Sequence, residues 1–392
     1  MEKNLTPYLP GLFLSQFEVL CHYNLIKSLL KPLTKNASKP KYGCENGFKS
    51  FVSIGYCQDA SVFLFESIKH FSILAPEAIN SFTDHPLFPE LVIMRNNIHT
   101  YFKKGGFSEK TKCITESKLK EYKLDKVNFL SFLRNDVSLV FHIKNQSRHL
   151  IGSDNYISHC IYESENKNWK GSDYRNFAEF LASSIMGIAS TVDEMPYQLP
   201  ELTFFEQMPL IELFDYKSAD LANCSAVTPN STFRLLLILY QISYILILIE
   251  DIADYERIVQ DDLWACFIIK LIAIKYDESF DNLYSLLRFS TEEDKLCLKE
   301  YCMKEELCFD NLKARTFAQN LRNTLHYQNL ALDINKTEDN STRNIIKAIY
   351  LSNTNKSCMN EFKELGTHMI QEMKLLQRII RKIMSLDKNY AF

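Results

Sequence analysis

Glycine and proline are scarce in this chain, which has 10 glycines and 11 prolines among its 392 residues. An average protein is about 7% glycine. Because these two residues make most tight turns, their scarcity favours long helices joined by modest loops. It also argues against glycine-rich phosphate loops, and neither G-x-G-x-x-G nor G-x-x-x-x-G-K-S/T occurs in the sequence.

Cysteine pairs with metal-ligand spacing are also missing. The 11 cysteines are odd in number and scattered from Cys21 to Cys358, with no C-x-x-C pair. We therefore expect reduced, small apolar residues in a cytoplasmic protein. The opening stretch MEKNLTPYLP has no apolar core of the length that a signal peptide needs. No metal and no cofactor is predicted.

Neither a strong charge nor a membrane-length apolar run is present. The net charge is −3, so no overall field attracts polyanions, and we find no DNA-binding motif. The longest apolar run, residues 235–249, has 15 residues and includes Gln241 and Ser243. A spanning helix needs about 20 apolar residues. The run is therefore predicted to be a central core helix, and no membrane association is expected.

Helical periodicity dominates what remains, so the predicted fold class is all-α, one or more helical bundles. Residues 137–144 alternate enough to be a strand but equally continue a helix. We divide the chain into a mostly helical N-terminal domain (1–150), a loop-rich connection with one helix (151–230) and a C-terminal bundle (231–392). The predicted helices cover 11–32, 59–81, 90–104, 175–191, 233–257, 261–288, 310–331 and 359–386. Ser231 or Thr232 is the predicted cap of 233–257, and in STEED Ser290 with Glu293 three residues on is a capping box that predicts a further helix start.

The stretch LRNTLHYQN, residues 321–329, carries the sharpest candidate for chemistry. On a helix, positions four residues apart lie about 40° apart, so Arg322 and His326 share a face. The same helical phase places an apolar stripe beside them, formed by Ala314, Phe317, Ala318, Leu321 and Leu325. Histidine can exchange a proton near neutral pH, and arginine can hold a phosphate with its two-pronged guanidinium. Asn323 is suited to orient either group. This combination suits RNA cleavage without a metal ion.

LRNTLHY resembles the signature of HEPN-superfamily domains, helical bundles found in many prokaryotic RNases, toxins and phage-defence proteins. The resemblance covers the C-terminal bundle. It implies Arg322, Asn323 and His326 as catalytic residues, metal-independent cleavage or binding of RNA, and a site formed where two such domains meet. A protein partner or a homodimer is therefore expected. The family usually has four to six residues between the arginine and the histidine, whereas this chain has three.

A second copy of the arrangement occurs in MRNNIHTYF, residues 94–102. Its members are Arg95, Asn96 and His99, in the same phase relative to an apolar stripe. Two copies would allow a composite site within one chain. The alternative for both is structural: an arginine and a histidine at this spacing often flank a core and bond a carboxylate. The chain would then be a non-catalytic helical interaction module.

Two acidic clusters offer a further alternative, a metal-dependent bundle enzyme. EDIAD (250–254) and DESFD (277–281) have spacings that place carboxylates on one helix face, as hard metals such as Mg²⁺ require. In a helical hairpin the two clusters would lie roughly 20 Å apart along the axis, too far for one metal site. Asp277 or Asp281 is instead a possible partner for Arg322 across the bundle.

Overall fold

A computed structural model describes most of the helical regions of the chain. The residues described are 14–25, 59–68, 72, 76–102, 139–144, 147–152, 171–190, 212–216, 225–252, 254–307, 312–323 and 342–386. Their helices in chain order are α1 (14–25), α2 (59–68), α3 (Pro76–Thr83), α4 (Phe88–Phe102), α5 (Gly171–Ser190), α6 (Pro229–Ile247), α7 (Tyr255–Ile258), α8 (Asp262–Phe289), α9 (Glu292–Lys304), α10 (Leu312–Asn323), α11 (Thr342–Thr354) and α12 (Met359–Ile383).

The predicted all-α helical bundle is confirmed for the fold as a whole, with α6 and α8 at its centre. Both helices are buried along almost their entire length and pack against each other. Among the described residues, Asn230–Glu250 is the one stretch long and apolar enough to cross a membrane, and its apolar 18-residue window lies buried inside the bundle. Its packing is that of the predicted core helix.

The start of α6 differs from the prediction that Ser231 or Thr232 caps it. Thr228 occupies the cap position, but its side chain makes no capping bond to the backbone of the helix, and Pro229 follows at the first helical position, where its missing N–H costs nothing. At the other end, residues Leu248–Ile252 form a π-helical turn. The hydrophobic periodicity of the sequence does not predict this wider turn, because a π-helical turn arises from packing.

The start of α8 is where the sequence placed it. Asp261 accepts hydrogen bonds from the backbone N–H groups of Leu263 and Trp264, and Asp262 lies in the first turn, where a carboxylate offsets the helix dipole. The cap of α9 is one residue later than predicted. Thr291, not Ser290, accepts from the N–H of Asp294.

A small antiparallel sheet adds to the bundle, and within the ambiguous stretch 137–144 the described residues 139–144 form a strand. β1 (Leu139–Lys144) pairs with β2 (Ser147–Gly152) and with β3 (Glu212–Tyr216), in the order β2-β1-β3. β2 lies against α6. There the buried His149 ring lies 3.0 Å from Gln377 Nε2, and Gln377 also donates to Ser243 Oγ at 3.2 Å.

The buried apolar side chains form one cluster that runs from α1 to the end of α12. α12 lies very close to α8 at Gly366, where an added Cβ would sit 2.8 Å from Ile269 Cγ1. Glycine is needed here to let the two helices approach.

The three-part division of the chain stays a prediction.

Candidate functional site

Two buried carboxylates of α8 face two arginines of α10. Arg322 Nη1 is bonded to Asp277 Oδ2 and lies 3.9 Å from Asp281 Oδ2. Arg315 Nη2 donates to Asp281 Oδ1 at 2.9 Å, and its guanidinium stacks 4.1 Å from the centre of the Tyr284 ring. The prediction that Asp277 or Asp281 pairs with Arg322 across the bundle is confirmed.

The local sequence explains this arrangement. Arg315 and Arg322 are seven residues apart, two turns of α10, and so share a side of that helix. Asp277 and Asp281 are one turn apart on α8 and share a side in the same way. The apolar stripe of α10 beside the arginines is buried, as its periodicity predicted. Helical phase therefore brings all four charged groups to one seam between α8 and α10.

Burial gives this seam unusual electrostatics. The side chain of Asp277 is 0% exposed, and that of Arg322 is 28% exposed. Burial raises the pKa of Asp277 to about 6, while the neighbouring Arg322 opposes the rise and Asp281 adds to it. A carboxyl group with such a pKa exchanges its proton near neutral pH, which is the property that acid–base chemistry requires.

The predicted catalytic trio is only partly placed. Arg322 and Asn323 are the second-last and last residues of α10. His326 lies outside the described residues, so its position relative to Arg322 stays a prediction. Because two carboxylates already surround the Arg322 guanidinium, a phosphate would have to compete with them for it.

The N-terminal copy shows the same use of its arginine. Arg95, on α4, donates to Glu66 Oε1 of α2 at 3.0 Å and lies over the Phe65 ring at 5.0 Å. Its other nitrogen donates to Asn96 Oδ1 at 3.3 Å. His99 belongs to α4, but its side chain lies outside the described part of the structure. Each arginine is thus held by an acid of a neighbouring helix.

A third polar group escaped the sequence analysis. Tyr276, on α8, donates a hydrogen bond to Glu372 Oε2 of α12, and His368 Nε2 lies 3.4 Å from Glu372 Oε1. Burial raises the pKa of Tyr276 further above its usual value, and Glu372 adds to the rise. The four-residue spacing of His368 and Glu372 was a local signal. The tyrosine partner lies 96 residues away and had none.

The acidic clusters are engaged by basic or backbone partners. Glu250 pairs with Lys374, Asp254 accepts from the N–H of Arg257 at the start of α7, and Glu278 lies 3.5 Å from Lys275 Nζ. Within the described ranges, no group of three or more histidine, cysteine or acidic side chains is arranged to hold a metal ion.

Comparison with protein-family models, curated proteins and solved structures finds no match to this chain. The resemblance to HEPN domains therefore rests on the residues of LRNTLHY alone.

Proposed function

We propose that this chain is a non-catalytic helical interaction protein that associates with a second copy of itself. The proposal that the protein is non-catalytic rests on one observation. Arg322 and Arg95, the arginines of the two candidate motifs, are both bonded to buried carboxylates of neighbouring helices. Arginines held in this way join neighbouring helices, and the role of the motif is then to stabilise the fold.

The outer side of α9 is the surface that we propose for association. Leu296 and Met303 are 69% and 70% exposed. They are seven residues apart, so they lie on one side of the helix two turns from each other. Large apolar side chains exposed on the same side of a helix mark contact surfaces more often than isolated ones do.

The charges on α9 favour a protein partner over a nucleic acid. The helix carries four acidic and three basic residues, and two of its lysines pair within the helix, Lys295 with Glu292 and Lys304 with Glu300. A phosphate-binding surface would be strongly basic. A surface with both signs suits a two-fold contact, in which each copy presents the same patch to the other.

Self-association is tested by the mass in solution. We expect the average mass to rise with concentration from the 45.7 kDa monomer towards the dimer, with a dissociation constant of about 10 µM or weaker for so small a patch. Replacing Leu296→Ser together with Met303→Ser should weaken association at least about tenfold, since each removes roughly 1 kcal/mol or more of apolar burial. Met186→Ser, at another exposed apolar residue, is the matched control.

A strictly monomeric protein at all concentrations would contradict this proposal. So would a double variant that dimerises as well as the unaltered chain.

Metal-independent RNA cleavage or binding of the HEPN kind is the second candidate. It is favoured by one observation: the side chain of Arg322 is 28% exposed and lies beside Asp277, whose pKa is raised to about 6. In this proposal Arg322 binds the phosphate, His326 is the general acid or base, and Asn323 orients them. Arg95, Asn96 and His99 would form a second copy, and the setting would be that of a toxin or a phage-defence protein.

The test is incubation of the purified protein with labelled RNA in EDTA. We expect no cleavage, because Arg322 is already bonded to carboxylates. Chelator-resistant cleavage that is lost in both Arg322→Ala and His326→Ala would overturn the non-catalytic proposal and support the second candidate. Arg378→Ala, an exposed arginine on α12, controls for a general loss of positive charge.

A further inference from the structure

The ion pairs of the seam between α8 and α10 continue across α8 to α2. On the α2 side, Lys275 Nζ lies 2.6 Å from Asp59 Oδ1 and 3.5 Å from Glu278 Oε2. Arg322, which is bonded to Asp277, also attracts the Glu278 carboxylate and so links the two sides. The charged groups of three helices therefore form one network, which consists of Asp59, Lys275, Asp277, Glu278, Asp281, Arg315 and Arg322.

This network contains one more acid than base. Its four carboxylates face two guanidinium groups and one ammonium group. The neighbouring cations of the described helices do not supply a fourth positive charge, because each has an acid of its own. Lys270 is bonded to Glu18 of α1, and Arg95 of α4 donates to Glu66 of α2. The network therefore has an excess negative charge when all of its groups are ionised.

The histidines of α1 and α12 that lie near the network do not remove this excess. Burial lowers the pKa of His22 to about 3, with Lys270 adding to the effect, so its imidazole is neutral at physiological pH. On α12, His368 Nε2 lies 3.4 Å from Glu372, which also accepts a hydrogen bond from Tyr276. A charged His368 would thus already have its own carboxylate.

Burial makes the excess charge costly. The side chain of Asp277 is 0% exposed, and that of Glu278 is 14% exposed. A buried carboxyl group without a full positive partner holds a proton more readily than one in water. Burial raises the pKa of Glu278 to about 6, while Lys275 opposes the rise and Asp59 adds to it. Asp277, on the other side of the network, has the same raised pKa of about 6.

We propose that this network is a pH-sensitive switch, in which one proton on Asp277 or Glu278 balances the charge and keeps α10 packed against α8. When the proton leaves, the excess negative charge remains, and the C-terminal end of α10 opens so that water reaches the carboxylates. This end moves because α10 has only 12 residues and Arg322, its second-last residue, is already 28% exposed. The switch does not depend on self-association through α9.

The direction of the switch follows from the linkage between proton binding and stability. The usual pKa values are 3.8 for an aspartate and 4.5 for a glutamate side chain, and both values are raised in the closed seam. The closed seam therefore binds the proton more tightly than an open one. Its stabilisation is complete below about pH 4 and is lost as the pH rises through about 6. Mild acid should thus close the seam, whereas acid more often weakens ion pairs.

Amide hydrogen exchange of the full chain tests the proposal without any substitution. The protection factor of an amide is its exchange rate relative to the rate expected for an unfolded chain at the same pH. In α10 the protection factors should fall by about tenfold from pH 5.0 to pH 7.5, as expected for one proton with a pKa of about 6. In α5, which contributes no group to the network, they should change less. Protection in α10 that stays constant or rises with pH would overturn the proposal.

The variant Glu278→Gln tests the charge count directly, because it leaves three carboxylates for three cations. Its α10 protection should be about tenfold higher than that of the unaltered chain at pH 7.5 and equal to it at pH 5.0. Glu364→Gln, at an exposed acid of α12, is the matched control and should keep the pH dependence of the unaltered chain. If Glu278→Gln also kept that dependence in full, the excess charge would not be its cause and the switch would be refuted.

Discussion

Replacing Lys270→Met should lower the free energy of unfolding by about 3 to 5 kcal/mol, the usual cost of removing one partner of a buried ion pair. Lys270 and Glu18 are both almost completely buried, and they join α8 to α1. Glu18 also accepts a hydrogen bond from Tyr350 Oη at 2.8 Å. Without the ammonium, the Glu18 carboxylate would remain charged in the core beside the Tyr350 hydroxyl. Urea denaturation followed by circular dichroism measures the loss.

The double variant Lys270→Met with Glu18→Gln separates the buried charge from the lost packing. Glutamine keeps an acceptor for Tyr350 but carries no charge, so the double variant should recover about half of the loss or more. The result would contradict the argument if the single variant lost less than about 1 kcal/mol. It would also do so if the double variant were no more stable than the single one.

Replacing Asp294→Ala should cost about 3 kcal/mol, since it removes three hydrogen bonds to one buried carboxylate. The carboxylate accepts from Thr228 N at 2.9 Å, from Thr228 Oγ1 at 2.6 Å and from Ser231 Oγ at 2.6 Å. These donors lie at the start of α6, where a negative charge also offsets the helix dipole. A side chain of α9 thereby caps the helix at the centre of the bundle.

Two variants control this second prediction in the same denaturation experiment. Glu293→Ala removes a carboxylate from the same first turn of α9, but that residue is exposed, so it should cost less than about 0.5 kcal/mol. Asp294→Asn keeps an acceptor oxygen and should lose roughly half as much as Asp294→Ala. Equal losses in Asp294→Ala and Glu293→Ala would show that the carboxylate acts through the dipole of α9 and not through α6.

Part of the helix positions could be read from the sequence, because capping and periodicity are local. However, α11 was not predicted, and the helix predicted to run to 257 ends as α6 at Ile247. Asp261 precedes a long apolar pattern and caps α8. The predicted cap is wrong by one residue where two hydroxyl side chains are adjacent, as at Ser290 and Thr291. The sequence does not reveal a cap whose side chain comes from another helix. The Thr228 side chain makes no capping bond to the helix backbone; instead the carboxylate of Asp294, 66 residues away, accepts a hydrogen bond from Thr228 N.

The candidate site, like the helices, was predictable only in part from the sequence. Helical phase alone predicted that Arg322 lies beside a buried stripe, and the acids at 277 and 281 were recognised as possible partners. Their actual pairing depends on how α10 lies across α8. The pairing of Tyr276 with Glu372 had no usable sequence signal, because the two residues lie on helices far apart in the chain.

The sequence by itself therefore determined the helical class, both ends of α8 to within one residue, the start of α12 and the faces on which the arginines lie, because these depend on contacts within about four residues. Tertiary structure decided which charges are buried together and that residues 139–144 form a strand with a partner at Glu212–Tyr216. Burial and charge pairing depend on distance in space, and that distance is fixed only when the helices pack.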